Sequence, residues 1–272
     1  MTHAQLFGVF AILSLTAASG CATNPYTGKT ELALISREQE IELGRQSAPQ
    51  FEAEFGGRLA DARVQGYVRA VGLRVAALSD RSMPYDFAVL DSATPNAFAL
   101  PGGPVYVTVG LLKIMKSERE LAAVLGHEVG HIAAKHTVNA LERRIGAAVL
   151  IEAVSEAAGS RGATAGKIAE IVASIGELKY SRDDEYQADE AGIIYMMRAG
   201  YNPYGMVEML GDLQSLSSAE PGRLAEMLST HPLTSKRVEE ARGIVQSKFP
   251  AVDPRTPDPN AAQYMQIRGT LK

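Results

Sequence analysis

The stretch "LGHEVGHIAAKH", Leu125 to His136, holds three of the five histidines of a 272-residue chain, and two of them flank a glutamate. On a helix, residues four apart are separated by about 40° around the axis and roughly 6 Å along it. His127 and His131 therefore project from one face, and their imidazoles can meet at one ion, about 2.0–2.1 Å from each. Glu128 is turned about 100° from His127. It is too near to be a comfortable third ligand, but it can reach a water on the metal. Zinc lowers the pKa of such a water, and a carboxylate beside it takes the proton as attack on a carbonyl begins. The competing reading is a core helix whose histidines are satisfied by backbone or water. Gly126 and Gly130 weaken a helix, so something must approach it closely, and tight helix packing is the ordinary explanation.

A catalytic zinc needs a third protein ligand and an open position. His136 lies about 140° around a continued helix from His131, which suits packing or capping better than ligation. Ala134 and Thr137 stand where a metzincin has its glycine and third histidine. Downstream, "SRDDEYQADEAG" places Glu185 and Asp189 four apart. One carboxylate there can bind the metal while the other fixes a ligand histidine through its free ring nitrogen. Asp183, Asp184 and Glu190 compete for these roles. "THP" at Thr230 to Pro232 reads as a helix start, with Thr230 as the cap.

Around this core the composition is ordinary, 46% hydrophobic and 21% charged, with net charge -4, 6% aromatics and no tryptophan. No basic stripe and few stacking residues argue against nucleic acid as a partner. The only cysteine, Cys21, excludes a disulfide framework. It follows a short apolar run, Leu6 to Leu15, and small residues, "ASGC". This resembles a bacterial lipobox, although the head carries no Lys or Arg and Ala18 is unusual there. The expectation is a lipoprotein-type signal peptide over 1–20 and a tether over 21–35, anchored through a lipid on Cys21. With Ala22 next, resemblance to Gram-negative lipoproteins implies the outer membrane, facing the periplasm.

Ser36 and Gln39 form a capping box for a helix to about Glu54. Val64, Tyr67, Val68, Val71, Val75 and Leu78 mark the stripe of a second helix. "YDFAVL" and "VYVTV" read as strands, and Pro101-Gly102-Gly103 turns a hairpin between Phe98–Leu100 and Val105–Val109. Ser117 and Glu120 start the helix that carries the opening stretch. The apolar middle of the next segment, Ile145 to Val154, is too short to span a membrane and is expected as a core helix or lid. "GSRGATAG", Gly159 to Gly166, is a flexible break, and a helical pair follows over Lys167 to Ala199. Asn202-Pro203 precedes another helix, a last one starts near Pro232, and the proline-rich 250–272 is expected as an extended tail.

Taken together, "NAFALPGGPVYVTVGLL", "HEVGH", "DDEYQADEAG" and "STHPLTSKRVEEAR" resemble the gluzincin metallopeptidases that include the CAAX-prenyl protease, HtpX, BepA and LoiP. The opening after Asn24 is most similar to the periplasmic LoiP/BepA branch, without BepA's helical-repeat domain. The resemblance implies a zincin-type domain over 36–249, mainly α with a small β-sheet, holding one Zn2+. His127, His131 and Glu185 would be the metal ligands, Glu128 the general base, and Asp189 the group that orients a ligand histidine. His231 would stabilise the oxyanion or block the metal in a latent state. Asn96, Ala97, Phe98 and Ala99 would hold an extended substrate by backbone pairing. Arg237 matches a family arginine. The implied function is an endopeptidase that cleaves misfolded or stalled cell-envelope proteins. The rival is a chaperone or assembly lipoprotein that uses the same groove with a latent or structural zinc.

Overall fold

A computed structural model of the chain describes residues 20–157, 170–171, 174–175 and 178–271. Nearly all of the expected signal peptide, the break at Gly159 to Gly166 and part of the helix expected from Lys167 lie outside the described residues. The described elements are mainly helical, with two small sheets. No described helix is long and apolar enough to cross a membrane.

The sheet that frames the site has three strands, β3 (Asp86–Leu90), β4 (Ala97–Ala99) and β5 (Pro104–Thr108), in the order β3-β5-β4. β5 pairs parallel with β3 and antiparallel with β4, as the Pro101–Gly103 turn requires. Among the described residues β4 thus pairs on one side only. Four helices pack around this sheet. α1 (Arg37–Glu54) starts on the Ser36/Gln39 capping box, and α2 (Ala62–Ala76) buries Val64, Val68, Val71 and Val75. Leu78 falls beyond the helix end and is exposed rather than part of that stripe. α3 (Val109–Ile114) is short, and α4 (Glu118–Ala133) carries the histidine-rich stretch. Ser117 caps α4, but the Glu120 carboxylate accepts from the Lys116 amide at 3.0 Å instead of closing the box on Ser117.

α4 does not run on. Lys135 takes φ 59, a left-handed conformation that few non-glycine residues adopt. A separate helix, α5 (His136–Ala157), starts there. On α5, Val149, Leu150 and Ile151 are exposed, which corrects the expected core helix. The side chains of 152–157 are not described.

Residues 21–35 are no loose tether. β1 (Gly20–Thr23) and β2 (Thr30–Ala33) pair as a hairpin. Buried Asn24 donates to Glu31 at 2.9 Å and to the Ala134 carbonyl at 2.8 Å. Glu142 of α5 accepts from the amides of Leu34 and Ile35 at 2.8 and 2.9 Å. Cys21 is exposed on β1. A buried ion pair links this side to the site. Arg81 binds Glu40 and the Ile132 carbonyl, and Glu40 also accepts from the Gly102 amide at 3.2 Å. The turn before β5 is thereby held to the end of α4.

The remaining helices are α6 (Arg182–Arg198), α7 (Tyr204–Ala219), α8 (Ala225–Thr230), α9 (Ser235–Lys248) and α10 (Ala261–Gly269). Thr234, not Thr230, caps α9, and His231 closes α8. The tail expected to be extended folds back. Its prolines fall in the turns before Asn260, and α10 then buries Tyr264, whose hydroxyl donates to the Leu112 carbonyl at 2.8 Å. Asn260 adds a bond to Glu118 at 2.8 Å.

α4 and α6 cross where both lack side chains. A Cβ on Gly130 would lie 2.8 Å from the Ala188 carbonyl oxygen, and one on Gly192 would lie 3.0 Å from the Gly126 backbone. Tight packing is therefore the reason for the α4 glycines. Gly130→Ala must push the helices apart and should cost about 1–3 kcal/mol, read as a fall of several degrees in Tm. Gly146→Ala on α5, where a Cβ meets nothing within 4 Å, is the control and should be neutral or up to about 1 kcal/mol stabilising.

Candidate metal centre and substrate cleft

The α4–α6 crossing sets Glu185 and Asp189 against His127 and His131. The tautomers follow from the partners. Arg237 grips Asp189 with Nε at 2.8 Å and Nη2 at 2.7 Å. The charge on Arg237 outweighs the burial penalty and holds the Asp189 pKa below the ordinary range. An ionised Asp189 accepts from His127 Nδ1 at 2.8 Å, which leaves the lone pair of His127 Nε2 facing inward. A second relay fixes His131. His136 Nε2 faces the Gln187 carbonyl oxygen at 3.3 Å and donates to it. His136 Nδ1 then accepts from His131 Nδ1 at 2.9 Å, and His131 Nε2 also presents a lone pair. Burial pushes the pKa values of His131 and His136 down, so both stay neutral.

The inward atoms form a tight set. His127 Nε2 and His131 Nε2 are 3.0 Å apart. Glu185 Oε1 lies 3.3 Å from His131 Nε2, and Glu185 Oε2 lies 3.6 Å from His127 Nε2. His231 Nδ1 completes it, 3.3 Å from His127 Nε2 and 3.0 Å from Glu185 Oε1. Tetrahedral ligands at about 2.0–2.1 Å from zinc lie about 3.3 Å from one another. Nitrogen lone pairs facing each other at such distances, with a buried carboxylate between them, match what a divalent cation requires. Glu185 Oε2 has no hydrogen bond, although the Arg237 guanidinium lies against it. The residues present therefore fit zinc.

Burial works against the charge on Glu185, but His231, His127 and the bonds from His131 outweigh it and hold the pKa well below the ordinary range. Burial raises Glu128 above the usual carboxylate value, against the pull of His231 and His127. Glu128 Oε2 has no hydrogen-bond partner, and Glu128 Oε1 lies 3.9 Å from His231 Nε2. Burial opposes the charged form of His231, yet Glu185 and Glu128 raise its pKa.

The metal, base, orienting and substrate residues expected from the resemblance lie at this centre or line the cavities beside it, whereas Glu190 pairs with Lys248 instead. His127, His131, Glu185 and His231 converge. Glu128 faces a small apolar cavity of about 40 Å³ whose lining includes Ala97, His127, Met209, Leu213 and His231. Asn96, Phe98 and Ala99 line a larger cleft of about 260 Å³ that also reaches His231. Tyr180 was missed, and the roles of His136 and Arg237 were not read. Tyr180 stacks on the His131 ring at 3.8 Å between centroids. His136 orients His131, which became possible because the helix breaks at Lys135. Arg237 also donates Nη1 to the Pro232 carbonyl at 3.2 Å. Its fixed distance from the "HP" pair was a signal of a local link, but its long-range partners were not readable.

A family model described as Peptidase family M48 matches residues 62–245. The chain is 29% identical over 222 residues to the mitochondrial metalloendopeptidase OMA1 of Schizosaccharomyces pombe, covering 79% of this chain and 64% of that protein. It is 28% identical over 249 residues to the beta-barrel assembly-enhancing protease of Escherichia coli, covering 86% of this chain and 50% of that protein. To the metalloprotease YcaL of Escherichia coli it is 27% identical over 209 residues, 76% of each. It thus spans between half and two thirds of the first two relatives. With the family match running from α2 into α9 across the whole histidine and carboxylate centre, the chain belongs to peptidase family M48, a family of zinc metallopeptidases.

Proposed function

We propose that the protein is a zinc endopeptidase acting on misfolded or stalled proteins of the bacterial cell envelope, held at the outer membrane by a lipid on Cys21. The observation that carries the peptidase reading is the convergence of two histidine nitrogens and the Glu185 carboxylate beside a buried, unbonded Glu128 oxygen. The envelope part is supported by a relative named beta-barrel assembly-enhancing protease and by the exposed position of Cys21.

His127, His131 and Glu185 would hold the zinc, which when bound polarises the scissile carbonyl and lowers the pKa of a water. Asp189 and His136 keep the two rings in the tautomers that present lone pairs. The unpaired edge of β4 supplies backbone groups on which an extended chain can be held. Glu128 takes the proton of the attacking water on Oε2 and returns it to the leaving nitrogen. Its burial raises its proton affinity toward that task. His231 Nδ1 closes the donor set, 3.3 Å from His127 Nε2 and 3.0 Å from Glu185 Oε1, so with zinc bound the His231–Pro232 segment would have to withdraw to admit a substrate oxygen. That closed donor set is also the observation behind the second reading, a latent lipoprotein that uses its groove to bind rather than cut.

Three variants test this reading. Glu128→Gln should lower cleavage of an unfolded protein by about 10²–10⁴-fold while keeping near-stoichiometric zinc by elemental analysis. Unchanged cleavage excludes Glu128 as the base, and unchanged envelope phenotypes in a Glu128→Gln strain support the binding reading. His231→Ala should raise cleavage. A fall of about 10²–10³-fold would instead assign the ring to the oxyanion. Arg237→Met leaves Asp189 and Glu185 facing each other without their guanidinium, and should weaken zinc retention about 10–100-fold in competition with a chelator. Retention equal to wild type would remove Arg237 from the centre's support.

A further inference from the structure

The larger cleft beside β4 has a composition of its own. Its floor is apolar and aromatic, made by Phe51, Phe55, Phe98, Leu100, Ile175 and Leu178. Phe98 lies 4.9 Å from Phe55 and 5.6 Å from Phe51 between ring centroids. Its walls carry two carboxylates, Glu54 from α1 and Glu226 from α8, both on exposed residues. Among the described residues no lysine or arginine lines it.

Both carboxylates are acceptors, and the hydroxyls beside them spend their protons on the backbone. Ser229 donates its hydroxyl proton to the Glu226 carbonyl at 2.6 Å, and Thr230 donates to the Met227 carbonyl at 3.1 Å. The Asn96 amide nitrogen donates to Glu226 Oε1 at 3.1 Å, which fixes the orientation of the amide. Asn96 is 5% exposed, and its Oδ1 is buried without a hydrogen-bond partner among the described residues. A buried acceptor left open costs stability unless a donor arrives. Among the described residues the donors left in the lining are the exposed Gln50 amide, the second hydrogen of the Asn96 amide, and the Tyr180 and His231 rings.

We propose that this cleft is a specificity subsite for a cationic side chain, arginine or lysine, of the substrate, set next to the scissile bond on the Phe98 side. The proposal rests on the peptidase reading above. The long methylene stem of such a residue packs on the Phe51–Phe55–Phe98 floor. Its head brings several N–H donors and a positive charge to Glu54, Glu226 and Asn96 Oδ1, while the ring faces attract the same charge. An acidic side chain meets two carboxylates and an unpaired oxygen there, and is rejected. The small cavity that also borders His231 is mostly apolar, and its charged groups, Glu128 and Arg237, belong to the centre itself.

The test uses the zinc-loaded full chain and quenched peptides that differ only in one residue, arginine, norleucine or glutamate, placed in turn on each side of the cut. At one position arginine should raise kcat/KM about three- to fivefold over norleucine, the range of exposed ion pairs, and glutamate should lower it. Glu54→Lys should bring the arginine-to-norleucine ratio to about one or below. A wild-type ratio near one at every position, a preference for norleucine, or a ratio unchanged in Glu54→Lys overturns the proposal. A second arm needs no cleavage. Labelled arginine and norleucine peptides are titrated into the Glu128→Gln protein by fluorescence anisotropy at low and high salt. Tighter arginine binding that weakens with salt and with Glu54→Lys upholds the subsite, and equal affinities overturn it. If no peptide is cut, the peptidase reading falls while this arm still decides the subsite.

Discussion

Two helix backbones meet at Gly126, Gly130 and Gly192 with no room for a Cβ, and the rest of the centre depends on that approach. The histidines of α4 and the carboxylates of α6 belong to segments some sixty residues apart in sequence. The glycines let the two axes come close enough for side chains of ordinary length to share one point. A larger residue at any of them moves Glu185 and Asp189 together, because both ride on the same rigid helix. The metal geometry is thus set by backbone packing before any ligand chemistry enters.

Charge is the second constraint. Glu128, Glu185 and Asp189 are nearly inaccessible to water, and so is Arg237. Three carboxylates against one guanidinium leave two negative charges when all are ionised, which a divalent cation neutralises. Buried charges without partners are costly, so the same residues that bind zinc demand it. For His231, burial opposes the charged form but Glu185 and Glu128 outweigh it and raise the proton affinity, whereas for Glu128 burial itself is the main cause of the rise. Arg237 reduces the excess without competing for the ligand positions, because it approaches from the α9 side.

Much of this was legible in the sequence, for identifiable reasons. The "HEVGH" spacing is a property of any helix, so His127, His131 and Glu128 could be placed from numbers alone. Ser36 and Gln39 formed the expected box, and Pro101-Gly102-Gly103 turned the expected hairpin. Choosing Glu185 among five neighbouring acids needed the family resemblance, because helix periodicity does not say which face meets α4. The break at Lys135 was hidden, since no glycine or proline marks it and tertiary contacts hold the left-handed residue. The prolines of the tail were read as an extended segment, although they only delay α10, which is held by Tyr264 in the core and Asn260 on Glu118. Asn24 looked like a turn residue, yet it anchors the hairpin to the end of α4.

Helix α8 joins the metal corner to the cleft. Its Met227 carbonyl accepts from the His231 amide at 2.8 Å, and its Thr230 carbonyl accepts from the Tyr180 amide at 3.2 Å. Glu226, in its first turn, holds Asn96 at the start of β4. Tyr180 in turn stacks on His131. His231 therefore cannot leave Glu185 by a side-chain rotation alone without breaking its packing, and a displacement of its backbone pulls on Thr230, Tyr180 and Glu226. Glu226, Thr230 and His231 thus lie on one short stretch of backbone that borders both the cleft and the group of four converging side chains.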